Sequence, residues 1–496
     1  MNRVILIFIL SFIGHTLLAQ SPTELLIQRS DRFVENDKAD DLKVLCKMDN
    51  GNLFTVRFGK KHCIVNLLNS KLELQFNKTI EKEKGEIYKG HIRMGNKMKI
   101  FTVDASNKRE RIINCYIFDL LQGSHQKQQL VRLPIEKGKE LFQTEKKLQT
   151  GFSISENHKY VAIAMGSAKR KKRTYFTYVF DSENLETVSK NRFQENDTNG
   201  FDPKGMYVDN EATIFLLKKV WIETDEYAFD EEDEIENYEY QLHKLNQGNK
   251  TSVKIQTEGK FIKSLRMRSI NNTLQLLGYY ADKGYDRIEG TCTFTINKDD
   301  LTVQSSKTNL FPKQLFSDVF GKNDRSWLLG FSIDYLIEDK KGNAYLLAKS
   351  TTDTDISSGS SFLNNQHIIT TETALKINII ILKINASGEL VWGRGLHKIS
   401  KHGDYNAFIK NEKIHILMNS GEKTLEKMKK RAIFKDESLF SALYDIVYAS
   451  DGSVSYHKIQ NNEEHDLYIP IHGLYTKGIF LITSEDKYDR KYMKLN

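Results

Sequence analysis

From residue 42 onward, apolar and polar residues alternate in short runs rich in β-branched and aromatic side chains, the period-two pattern of half-buried strands. Two phrases recur. The first, a polar turn leading into an apolar strand, reads NGNLFTV (50–56), GNKMKIFTV (95–103), NHKYVAIA (157–164), NEATIFLL (210–217), NNTLQLLG (271–278), KGNAYLLA (341–348), NEKIHIL (411–417) and KGIFLIT (477–483). The second is an alternating strand, a short turn and a further strand, as in HCIVNLLNSKLELQF (62–76), CTFTINKDDLTVQSS (292–306) and LYDIVYASDGSVSYHKI (443–459). Its last copy stops halfway, at RKYMKLN (490–496).

A repeat of about 50 to 90 residues holding roughly four strands predicts one blade of a β-propeller. Each sheet alone would leave both faces wet, and radial stacking buries them. The expected fold is therefore all-β, a propeller of about eight four-stranded blades, with seven as the alternative. Lettering the strands A to D from the inside out, the final unit has an A strand near 467–471, then B and C, and lacks D. Residues 23–34 are placed to supply it. They also fit a short helix, since Ser21 and Glu24 have capping-box spacing with Pro22 in the first turn.

The connections are unequal. C-to-D turns are short (QGN 247–249, ASG 386–388, SDG 450–452), whereas several B-to-C connections read as long and charged. Unit three carries the basic run Lys169, Arg170, Lys171, Lys172 and Arg173. Unit four carries an acidic, aromatic stretch with Asp225, Tyr227, Asp230, Glu231, Glu232, Asp233 and Tyr238. Unit six is Ser/Thr-rich (350–377), and unit seven has a basic stretch (419–438) whose middle reads as a short helix. B-to-C and D-to-A links fall on one face of an up-and-down ring, so these insertions gather on a single rim, where loops on a rigid scaffold usually bind. The acidic stretch and then the basic run are the expected contact residues. As neighbours they also suit mutual pairing, worth about 0–1 kcal/mol per exposed pair.

Residues 1–20 have the layout of a secretory signal peptide: basic Arg3, an apolar run over 4–13 and a small-residue exit at Ala19. The expected organisation is signal peptide (1–20), a segment suited to closing the ring (21–41), and propeller (42–496). Export, to periplasm or exterior, follows, with no membrane span. A formal charge of +8 over 496 residues and no recognised motif disfavour nucleic acid. Four cysteines without a Cys-x-x-Cys read as buried thiols. Cys46 and Cys63, on the first and third strands of one meander, stand too far apart to bridge.

The stretches GYYADKGYDRIEG (278–290) and IIILKINASGELVW (379–392) resemble a group of secreted, propeller-like proteins of the Bacteroidetes. That likeness implies fold and export and transfers no catalytic residue. No nucleophile elbow, zinc motif or cofactor fingerprint is present, and DTDISSGS (353–360) departs from a calcium loop at its sixth and twelfth positions. No metal or cofactor is expected. The sequence reads as a non-catalytic module engaging an envelope protein or extracellular glycan. The alternative is a carbohydrate-active hydrolase or lyase with its site at the channel mouth.

Overall fold

The computed structural model describes residues 24–34, 41–142, 148–169, 172–195, 200–222, 238–246, 248–282, 287–321, 326–353, 375–400, 405–421, 433–435, 442–485 and 490–496. Eight antiparallel sheets succeed one another as the blades of a propeller. Blade 1 runs outward from Leu42–Lys47 through Leu53–Phe58 and His62–Leu68 to Leu74–Glu81. The inner strands of blades 2 to 7 are Glu86–Met94, Phe152–Ile154, Phe201–Val208, Phe261–Ile270, Ser332–Glu338 and Tyr405–Lys410.

Alternation along each strand sends successive side chains to opposite neighbours. In the second strand of blade 2, Met98 and Ile100 join the core shared with blade 1, while Phe101 and Val103 join the core shared with blade 3. One hydrophobic cluster fills each seam, and the cluster between blades 8 and 1 completes the circle. All four cysteines are free and buried within these cores. Burial pushes the Cys63 and Cys115 thiols up to about 12, so neither is reactive at neutral pH.

Blade 8 decides between the two readings of the N-terminal segment. Its chain-terminal strands are Leu474–Thr476, Ile479–Thr483 and Tyr492–Leu495, and its outermost strand is Ile27–Arg29, with Ile27 opposite Leu495 and Arg29 opposite Met493. The short helix is not formed. One isolated turn is a costly nucleus, whereas extended backbone satisfies the open edge of 492–495 and buries Leu25. The inner strand expected near 467–471 instead starts at Leu474. Pro470 has no N–H to donate to a ladder, and Pro470–His472 forms a 3-10 turn.

Two local devices repeat. Three C-to-D turns place glycine at positive φ, Gly248 at 86°, Gly388 at 89° and Gly452 at 84°. In five blades the inner strand carries one extra residue near its start: Lys43, Lys89, Lys204, Lys263 and Asp334. These bulges sit at one height of the ring, toward the D-to-A end.

The unit-three connection is not the long loop its charge suggests. Strands Tyr160–Lys169 and Lys172–Asp181 run to the hairpin tip, where Lys169 pairs with Lys172 and Ala168 with Arg173. The strands reach this far because the alternating pattern continues to Lys169 and resumes at Lys172. In unit seven, Ile433–Lys435 returns to lie parallel to the outer strand of blade 6, Leu390–Ser400, covering part of its edge. The stretch expected to be helical before it lies outside the described residues.

Blade 2 carries a pH-sensitive knot. The buried Glu86 carboxylate accepts from Thr102, from Asn114 at 3.1 Å, Tyr116 at 3.0 Å and Lys127 at 3.0 Å. Burial pushes its pKa up, but the Thr102 and Lys127 hydrogen bonds outweigh that and hold it below the usual carboxylate range. A depressed folded-state pKa gives stability that is present above the unfolded value and lost as pH falls through the folded one. Stability of the Glu86→Gln variant, followed by urea unfolding from pH 7 to pH 3, is expected to fall less steeply on acidification than that of the parent. Parallel slopes would remove Glu86 from the acid response.

Candidate functional site

The two faces of the ring are built differently. On the A-to-B face, turns of neighbouring blades are stitched together. Arg93 pairs with Asp49 at 3.2 Å, Asn157 donates its backbone N–H to Asn210 at 3.0 Å, and Lys341 pairs with Glu412 at 2.7 Å. At the channel end of this face, Glu156 accepts from Tyr207 at 2.9 Å and Ser269 at 2.6 Å, while Lys298 donates to both hydroxyls. Those hydrogen bonds, Ser269 first, hold the Glu156 pKa down, as suits a latch across blades 3, 4 and 5 rather than a proton donor.

On the opposite face a groove of about 380 Å³ opens between blades 4 and 5. Its position follows from strand alternation in blade 4. In the second strand, Ile214–Trp221, Lys218 and Lys219 are adjacent and point to opposite sides. Lys218 lies 4.1 Å over Phe201 and 4.8 Å over Tyr175, in the seam with blade 3. Lys219 lies 4.2 Å over Trp221 and 3.6 Å over Tyr238, in the seam with blade 5. Tyr238 packs edge-on against Trp221 at 5.5 Å, Tyr240 at 5.9 Å and Phe261 at 4.9 Å. Both tyrosine hydroxyls donate to the carbonyl of the bulged Lys263 at 3.3 Å. The bulge thus turns a backbone acceptor toward the aromatic floor.

Polar groups line the rest. Glu239 is ion-paired with Lys254 and accepts from Gln241 at 2.6 Å. Gln256 and Thr257 come from the D-to-A link, and Lys260 closes the end. Lys260 rests 4.3 Å over the Tyr280 ring with its ammonium 3.6 Å from Asp282. Beyond it, partial burial and a hydrogen bond with the Asp282 carboxyl push the Glu289 pKa upward.

Of the expected contact residues, Tyr238 is at the groove. It is 6% exposed, a floor residue more than a surface contact. Ile222 also lines the groove, so the acidic stretch lies in sequence between two of its lining residues. Asp225, Tyr227, Asp230, Glu231, Glu232 and Asp233 lie outside the described residues, as do Arg170 and Lys171. Lys169 and Lys172 oppose each other in the blade-3 hairpin, and Arg173 donates to the Phe201 carbonyl at 3.3 Å, in the neighbouring seam. Sequence reasoning missed Lys219, Trp221, Tyr240, Lys254, Lys260 and Phe261. Their only signal was aromatic and lysine enrichment at strand ends, and nothing in the chain paired the end of unit four with the start of unit five. Among the described residues, no group of three His, Cys, Asp or Glu is placed to hold a metal ion, and no helix is long and apolar enough to cross a membrane.

No protein-family model and no curated protein matches the chain. Among solved structures it is similar to a polysaccharide lyase, at 8% identity over 82% of this chain and 89% of that one, TM-score 0.37. It is similar to virginiamycin B lyase from Staphylococcus aureus at 8% identity over 95% and 99%, TM-score 0.35. A Synechocystis apocarotenoid oxygenase matches at 9% identity over 73% and 71%, TM-score 0.35. Likenesses this remote carry no argument about activity.

Proposed function

We propose that the protein is an exported, non-catalytic binding module that engages an extracellular glycan through the groove between blades 4 and 5. The groove carries the reading. Its volume of about 380 Å³ suits one or two sugar units, within the range of about 300–1,000 Å³ for small-molecule sites. Half-buried Phe261 over a tyrosine floor, with a carboxylate, an amide, a hydroxyl and two ammonium groups around it, offers a small apolar contact and hydrogen bonds of both polarities. An envelope protein needs a much broader contact, about 800 Å² per partner. The acidic stretch with Asp225 and its neighbours, and the basic tip, remain proposed contacts at the rim of the same face. Export rests on the signal-peptide layout of residues 1–20.

The catalytic alternative needs two acids in suitable geometry. Partial burial and then Asp282, which lies 3.6 Å from the Lys260 ammonium at the end of the groove, raise the Glu289 pKa, but neither acid is part of the groove lining. Glycoside hydrolysis separates its carboxyl groups by about 5–9.5 Å to admit the sugar and, in inverting enzymes, a water. The described lining offers one carboxylate, Glu239, and it is already ion-paired with Lys254.

An array of plant and microbial polysaccharides probed with the mature protein tests the proposal. The Lys254→Ala/Gln256→Ala variant alters two exposed wall residues and leaves the floor intact. Its affinity for any retained glycan is expected to drop about tenfold, or about 1.4 kcal/mol. Equal retention by both proteins would take the site away from the groove.

A further inference from the structure

The channel-side ends of blades 5, 6 and 7 bring several buried polar side chains together. Asp334, the bulge residue of blade 6, is 4% exposed. Tyr405 at the start of the blade-7 inner strand donates its hydroxyl to Asp334 Oδ2 at 3.0 Å, and Tyr335 donates to the Tyr405 carbonyl at 2.9 Å. On blade 5, Tyr279 stands directly across the strand pair from Ser264, the residue after the bulge at Lys263. The strands close tightly there: a Cβ on the neighbouring Gly278 would meet the Ser264 carbonyl oxygen at 1.7 Å.

Tyr279 is fully buried. Burial first, and the nearby Asp334 carboxylate second, raise its pKa against the opposing Arg266 guanidinium, so it stays a neutral phenol with a proton to donate. Neither its hydroxyl nor Ser264 Oγ has a hydrogen-bond partner among the described residues, and both atoms are buried. As cross-strand partners, Ser264 and Tyr279 stand on the same sheet face; buried hydroxyls are normally paired, and ordered water is the usual partner where protein supplies none. The Arg266 guanidinium alongside disfavours a cation.

We propose that Ser264 and Tyr279 together hold one hydroxyl-bearing guest in the channel wall between blades 5 and 6, either an enclosed water or the hydroxyl of a small polyol. The guest accepts the Tyr279 proton and shares a second hydrogen bond with Ser264. This site faces blade 6, across blade 5 from the groove, and does not rest on what the groove binds.

Calorimetric unfolding of Tyr279→Phe, Ser264→Ala and the double variant tests it. With a shared guest, each single variant unfolds about 1–2 °C lower than the parent. The double variant falls no further than the worse single, because both substitutions remove the same hydrogen-bonded molecule. Glycerol distinguishes the two sources. Equal stabilisation of parent and Tyr279→Phe assigns the guest to water, and a larger gain in the parent assigns it to a polyol hydroxyl. An unchanged or raised midpoint for Tyr279→Phe overturns the proposal, since deleting an unsatisfied hydroxyl should relieve a penalty. Additive losses in the double variant overturn it as well.

Discussion

Replacing Glu140 with alanine is expected to lower the unfolding free energy by about 3–5 kcal/mol, the range for breaking a buried ion pair from one side. Glu140 lies in the link between blades 2 and 3 with its side chain 2% exposed. It accepts from Arg111 Nε at 2.8 Å and from the backbone N–H groups of Phe142 and Gly166 at 3.2 Å, with Lys89 Nζ 3.6 Å away. Arg111 and Lys89 are 1% and 2% exposed. Burial already pulls the Lys89 pKa down, with Glu140 as the main opposing influence. Alanine would leave two buried cations with carbonyl acceptors but without this counter-charge, and would remove the acceptor of two N–H donors. Glu140→Gln, which keeps an acceptor, should cost less. Urea unfolding at neutral pH measures both, and a loss below about 1 kcal/mol for alanine would mean that solvent reaches the seam.

Deleting residues 24–34 is expected to open the ring at blade 8 and to make the protein associate with itself. The segment supplies the outermost strand of that blade. Leu25 enters the seam between blades 7 and 8, Phe33 stacks on Tyr492 at 5.1 Å, and Ser30 accepts the Tyr492 N–H at 2.8 Å. Glu24 pairs with Lys413 at 2.6 Å, and Arg29 donates to Gln460 at 3.0 Å. Apolar burial of Leu25, Ile27 and Phe33 alone is worth about 4 kcal/mol. The exposed edge of Tyr492–Leu495 then becomes a template for a second chain. Light scattering after size exclusion should show concentration-dependent oligomers that a peptide of residues 24–34 reverses. A truncated protein that stays monomeric with an unchanged unfolding midpoint would show that the ring closes without the segment.

The fold was legible because its information is local. A polar turn and an apolar strand recur with each blade, and the glycine turns at 248, 388 and 452 are visible as QGN, ASG and SDG. The choice at residues 23–34 was not legible, because it depends on an open strand edge more than 450 positions away in the chain. Charge misled in unit three: five basic residues suggested a loop, yet the strand pair includes Lys169 and Lys172. Glu140 sat in an unremarkable lysine-rich link, and only the stacking of blade 2 on blade 3 gives it partners. The groove was hidden for the same reason. Its floor joins Tyr238 of one unit, backed by Trp221, to Phe261 of the next, and its key acceptor is a carbonyl turned by a bulge that no side-chain pattern announces.

The three tryptophans allow the most direct test of the groove. In the Trp327→Phe/Trp392→Phe variant, Trp221 is the sole tryptophan emitter and lies against the groove floor. Titration with the oligosaccharide retained most strongly on the array should shift its emission saturably, with the same midpoint as binding measured by calorimetry. Binding that proceeds by calorimetry while Trp221 emission stays constant would contradict the assignment of this groove as the glycan site.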